Sequence, residues 1–132
     1  MKDNFKNYLA KNQINLTKQR LQIADLIFIK NQHFTAIDLI KKIKKLKIHI
    51  SQATVYNTLS LFESRGLLKV INLDNEQKFY GTNLNHHHHI FNINNNSLLD
   101  INENRISFSK LPKLPDSTEL ERTEVLIKVK NK

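Results

Sequence analysis

Apolar residues recur at helical spacing through most of the first two-thirds of the chain and alternate through much of the remainder. The clearest helical stretch is Ile50 to Leu67. Val55, Leu59 and Phe62 fall on one face, Ser51 is placed to cap the N-terminus, and Gly66 suits the left-handed position after the last turn. The opposite face carries Gln52, Tyr56, Asn57 and Ser60, with Ala53 and Thr54 at its edges. Small or planar hydrogen-bonding groups of this kind read base edges or hold phosphates. Taken alone, the stretch is equally well an ordinary surface helix with a polar outer face.

The flanking segments change that balance. Residues 3–12 predict a short helix with Phe5, Tyr8 and Leu9 on one side. Thr17 caps a stronger helix over Lys18 to Lys30, whose inner face is Leu21, Ala24 and Phe28 with Ile23 and Ile27 beside it. Asn31 to Phe34 reads as a connector. Thr35 and Asp38 have the spacing of a capping box that opens a third helix. Ile37, Ile40 and Ile43 are expected to bury one side of it, and Lys41, Lys42, Lys44, Lys45 and Lys47 crowd the rest. Ile48 to Ile50 links it to the polar-faced helix, giving a helix-turn-helix arrangement. A β-rich run at Leu67–Leu73, a turn at Asp74-Asn75 and a second strand at Gln77–Thr82 would form a wing.

From Asn83 the alternation becomes strand-like. Strands are expected at His87–Ile93 and Leu98–Ile101, with an Asn-rich turn at Asn94–Asn96 between them. Arg105 to Ser117 is irregular, and Pro112 and Pro115 limit any helix. Glu119 to Val129 alternates again, with Val125, Ile127 and Val129 on one face. Three short strands bury too little surface alone, and pairing with a second copy would solve that. The fold class is therefore α+β: an N-terminal winged helix-turn-helix over residues 1–82, then a small α/β dimerisation domain over residues 83–132.

Charge supports this division. The formal net charge is +9. Residues 1–82 hold 14 Lys and Arg against 6 Asp and Glu, and residues 83–132 hold 7 against 6. A compositional drift toward lysine would load both parts alike, so the asymmetry favours nucleic acid as a partner of the first part. No apolar run is long enough to span a bilayer, and MKDNFKNYLAKNQ lacks the apolar core of a signal peptide, so a cytoplasmic protein is expected. The chain contains no cysteine, which excludes disulfides and thiolate zinc sites. Any metal must be held by nitrogen and oxygen.

The histidines supply such ligands. His86 to His89 are consecutive, so in a strand His87 and His89 share one side and His86 and His88 the other. Asp100 falls on the next strand and can supply an oxygen. His33, in the connector, can add a third imidazole and tie the two parts through one ion. Such a set suits Fe(II), Mn(II) or Zn(II). His49 reads as structural or phosphate-facing. Catalysis has little support: there is no cysteine nucleophile, no G-x-S-x-G and no phosphate-binding glycine loop. The alternatives from other classes are a metal-dependent enzyme on a winged-helix scaffold and an architectural DNA binder with an incidental histidine run.

Together these motifs resemble the ferric uptake regulator (Fur) family over nearly the whole chain. LTKQRLQIADLI is similar to the family's T-x-Q-R helix, His33-Phe34-Thr35-Ala36 to its H-x-T/S-A link, and ISQATVYNTLSLFESRGLLK to its recognition helix. The histidine cluster with Asp100 eleven residues after His89 resembles its regulatory metal site. Within the family, the chain is similar to the Irr (iron response regulator) branch in three respects. Asn57 follows Tyr56 where other branches usually carry Arg, the histidines are contiguous, and the CxxC pairs are missing, with Asn92 and Asn95 where the first pair would stand.

The resemblance implies a homodimeric, iron-responsive DNA-binding regulator and not an enzyme. It implies DNA contacts from Gln52, Ala53, Thr54, Tyr56 and Asn57, and a regulatory metal site of His33, His87, His89 and Asp100. His86, His87 and His88 become candidates for haem or a second metal. Sensing of manganese, zinc or peroxide is the alternative within the family. Two departures stand out. Gly81 occupies the place, six residues before the first regulatory histidine, where the family usually has an acidic ligand. No histidine follows His89, and Glu119 and Glu121 are not assignable to a second site.

Overall fold

The structure, a computed structural model, describes residues 5–73, 78–85 and 87–132. It divides into two compact units, Met1–Leu84 and Asn85–Lys132. The first contains α1 (Lys6–Lys11), α2 (Lys18–Ile27), β1 (His33–Phe34), α3 (Ala36–Lys45), α4 (Gln52–Ser64), β2 (Lys69–Asn72) and β3 (Lys78–Gly81). The second contains β4 (His87–Asn92), β5 (Leu98–Asn102), a 3-10 turn at Glu103–Arg105 and β6 (Leu126–Val129). Among the described residues no helix is long and apolar enough to cross a membrane.

Local signals set the helix ends of the first unit. The hydroxyls of Thr17 and Ser51 accept the backbone N–H of Arg20 and Thr54, both at 3.1 Å. Thr35 and Asp38 satisfy each other reciprocally as a capping box. Each cap contributes about 1 kcal/mol by engaging a donor that the helix itself leaves open. Gly66 closes α4 at φ 77°, and Leu67 N–H turns back to the Phe62 carbonyl at 2.9 Å. Lys47 closes α3 in the same left-handed region, at φ 58°.

The helices bury Leu9, Ile23, Ile27, Leu39, Ile43, Val55, Leu59 and Phe62 in one core. Phe28 links α1 to α4, its ring 5.4 Å from those of both Tyr8 and Phe62. Strands β1, β3 and β2 form an antiparallel sheet in that order.

Several details differ from the sequence expectations. Helix α2 ends at Ile27, short of Lys30, because the Gln32 carboxamide donates to the Leu26 and Ile27 carbonyls at 3.1 and 2.9 Å. The residues read as a connector include β1. On α3, Ile37 is 58% exposed, and the buried residues are Ala36, Leu39 and Ile43. The core thus takes the face about one residue away from the predicted one, and that rotation places Leu39 inside. The Asp74-Asn75 turn lies outside the described residues.

In the second unit β4 is central, antiparallel to β5 and parallel to β6. The final strand covers Leu126–Val129 only, shorter than the alternating run Glu119–Val129, and its Ile127 and Val129 are exposed. Asparagines tie the β4–β5 turn to the C-terminal segment. Asn92 Oδ1 accepts the N–H of Asn94 and of Asn95, and Asn92 Nδ2 donates to Asn131 Oδ1 at 2.9 Å. Asn131 N–H donates back to Asn94 Oδ1 at 2.7 Å.

Candidate metal centre and nucleic-acid interface

Strand alternation and ladder register build the candidate metal centre of the second unit. His87 and His89 lie two residues apart on β4, with ring centroids 4.5 Å apart. The antiparallel β4–β5 ladder sets Asp100 directly opposite His89. One Asp100 carboxylate oxygen lies 2.8 Å from His87 Nε2 and 3.4 Å from His89 Nε2. Two donors each about 2.1 Å from a tetrahedral metal stand about 3.4 Å apart. The His89–Asp100 distance matches that spacing and the His87–Asp100 distance is shorter; the ligand atoms of all three lie within 4.8 Å of one another, close enough for one ion to draw together.

Tautomer chemistry agrees. His87 Nδ1 lies against the Asn85 carbonyl oxygen. A carbonyl only accepts, so Nδ1 is the donor there, which leaves Nε2, the nitrogen beside Asp100, as the one that could ligate a metal.

His88 points the other way. It is 2% exposed, its Nδ1 accepts the Val125 N–H at 3.1 Å, and its ring meets Phe108 edge-on at 6.5 Å. It therefore joins β4 to the residue preceding β6. His87 and His88 occupy opposite faces, so they cannot serve one haem iron together. His86, the other haem candidate, lies outside the described residues.

His33 belongs to the first unit, where β1 pairs it with Gly81 on β3. Gln32 and Thr82 fix this register: Gln32 N–H donates to the Thr82 hydroxyl at 2.9 Å, and Thr82 N–H to the Gln32 carbonyl at 3.1 Å. A Cβ on Gly81 would lie 3.3 Å from His33 Cδ2 and 3.7 Å from Nε2. Gly81 has no positive φ, so the backbone itself accepts an L-residue there.

The candidate nucleic-acid face lies on α4. Gln52, Ala53, Tyr56, Asn57 and Ser60 are exposed in one stripe, while Val55, Thr58, Leu59 and Phe62 are buried. Thr54, also expected to contact DNA, is half-buried, and its hydroxyl accepts a hydrogen bond from Ser51 at 2.9 Å. Beside α4 packs α3, whose Lys41, Lys42, Lys44 and Lys45, with Lys47 just beyond, are all exposed. Lys78 Nζ lies 3.5 Å from Glu63 on α4 and 5.2 Å from the Tyr80 ring centre. Desolvation alone would lower the Lys78 ammonium, but Tyr80 and Glu63 outweigh it and hold it above the usual lysine value. This exposed pair contributes little stability, about 0–1 kcal/mol.

Sequence pattern missed two elements of these sites. Strand β1 is two residues long, too short for periodicity to reveal. The Gln32–Thr82 link joins residues fifty positions apart, and no local signal marks it.

Residues 11–126 match the ferric uptake regulator family. The ferric uptake regulation protein of Synechococcus elongatus is 35% identical over 79 residues, covering 57% of this chain and 54% of that protein. That of Campylobacter upsaliensis is 31% identical over 91 residues, covering 67% and 58%. The chain thus spans little more than half the length of these curated relatives. The ferric uptake regulator of Francisella tularensis, solved with iron, aligns over 90% of this chain and 92% of its own, with a TM-score of 0.73 and 26% identity.

Proposed function

Because the chain belongs to the ferric uptake regulator family, we propose that it is an iron-responsive, homodimeric transcription regulator that binds double-stranded DNA through α4. Family members are transcription regulators, not enzymes. The observation that carries the reading is the convergence of His87, His89 and Asp100 in a chain that also presents an exposed polar helix flanked by lysines.

A divalent ion, Fe(II), Mn(II) or Zn(II), would be held between these three side chains. His87 and His89 give imidazole nitrogen, Asp100 gives a carboxylate oxygen, and Asn85 holds the His87 tautomer. His33 is the proposed fourth ligand, on the strength of the family resemblance. Recruiting it would couple the metal to the first unit, and so to the orientation of α4.

The exposed apolar residues of the second unit, Leu99, Leu126, Ile127 and Val129, support pairing with a second copy. On DNA, Lys and Arg of the first unit neutralise phosphates while the α4 stripe faces base edges.

The likeness to the Irr branch adds haem as a second candidate signal. It rests on Asn57, the contiguous histidines and the absence of cysteine. Haem added to the purified protein would then give a Soret band that is lost on replacing His86–His88, and no band would remove this reading.

Duplex-DNA affinity measured against salt tests the main proposal. Counterion release predicts a linear fall of log K with log[salt], and Tyr56→Ala should weaken binding. Affinity that is indifferent to both would reject α4 as the DNA-reading element.

A further inference from the structure

From Gln52 to Ser64, α4 contains no lysine or arginine, and its only charged residue is Glu63. The cations stand beside this helix, on α3, and not on its exposed stripe. That stripe presents two carboxamides, Gln52 and Asn57, with the Ala53 methyl and the Tyr56 ring between and beside them. Among the described residues neither carboxamide bonds another protein group.

The major groove gives these groups unequal partners. Guanine shows two acceptors, N7 and O6, which two donors on Arg or Lys match. Adenine shows an acceptor at N7 and a donor at N6, which one carboxamide matches with its N–H and its oxygen. Against guanine the carboxamide oxygen would face the O6 lone pairs. The thymine methyl suits contact with the Ala53 methyl or the Tyr56 ring. The first two turns of a helix in the groove are the part that reaches base edges, and all four residues lie there.

We propose that Asn57 is a specificity-determining residue that reads adenine, so that each half-site carries an A·T pair at its position. Asn57 is favoured over Gln52 because its shorter side chain loses less rotamer freedom on binding. Gln52 supports a neighbouring contact. The absence of any cation on the stripe makes guanine a disfavoured base there. This rests on the proposed DNA-binding role of α4 and extends it to base identity.

The test is selection from a randomised duplex library with the full chain and Mn(II), comparing wild type, Asn57→Ala and Asn57→Arg. Wild type should enrich adenine over guanine at one position per half-site by roughly tenfold. Asn57→Ala should lose the preference at that position alone, and Asn57→Arg should move it to guanine. Asn57 is exposed, so both variants should keep the wild-type melting temperature. If both variants enrich the same sequence as wild type, Asn57 does not read the base and the proposal is overturned. If wild type enriches no duplex, the DNA-binding function fails and the proposal fails with it.

Discussion

Asp100 is the ladder partner of His89, yet its carboxylate oxygen lies nearer to His87, at 2.8 Å against 3.4 Å. Both imidazoles thus share one oxygen, and neither pairs with it exclusively. Asp100→Asn keeps the shape and removes the charge. Metal affinity, measured by chelator competition, should fall by at least about tenfold. An unchanged affinity would place the metal elsewhere. His88→Ala should leave that affinity near wild type and instead cost stability, about 1–3 kcal/mol, because the Val125 N–H loses its acceptor.

The asparagine network ties the β4–β5 turn to the C-terminal segment without a metal ligand. Asn92 alone joins Asn94, Asn95 and Asn131. Asn92→Ala should lower stability by about 1–3 kcal/mol and speed proteolysis near the C-terminus. The wild-type protein treated with a chelator should keep its β-sheet circular dichroism. Loss of that signal on chelation would show that a metal holds this unit together.

Gly66 isolates a purely conformational effect. A Cβ there meets nothing within 4 Å, but φ is 77°. Gly66→Ala should therefore cost about 1–2 kcal/mol through backbone strain alone. A change in unfolding free energy outside that range would mean the turn rearranges.

Helices α2, α3 and α4 were legible because each carries a side-chain cap and a periodic apolar face, whereas α1 has no such cap. Ser51, Val55, Leu59, Phe62 and Gly66 all sit where the sequence pattern placed them. On α3, four isoleucine and leucine residues between Ile37 and Ile43 left the buried side ambiguous, and packing chose Leu39 over Ile37. Alternation on β4 revealed that His87 and His89 share a side, because a strand has a fixed period of two. The tautomer of His87 was not legible, since it depends on the carbonyl of Asn85. Nor was the left-handed turn at Lys47 just past the end of α3, which no glycine marks.

Tyr8 supplies a pH dependence. Its ring packs edge-on against Phe28, and burial raises the phenol above its ordinary value of 10.0. The folded state therefore keeps the proton after the unfolded chain has released it. Stability is unaffected below the unfolded value and falls as pH rises from it through the folded one. Urea midpoints should be flat for this contribution near neutrality and decline above about pH 10. Tyr8→Phe should lack that part of the decline. Identical alkaline profiles for the two proteins would contradict it.

The central claim is that metal at the histidine strand governs DNA binding by α4. The most direct measurement is the affinity of the full chain for a selected duplex as Mn(II) is titrated in, with His87→Ala in parallel. Coupling between sites typically lies between roughly fivefold and 150-fold. Wild-type affinity should rise within that range and return to its starting value on chelation, while His87→Ala stays at the metal-free level. Equal DNA affinity for wild type with and without metal would contradict the account.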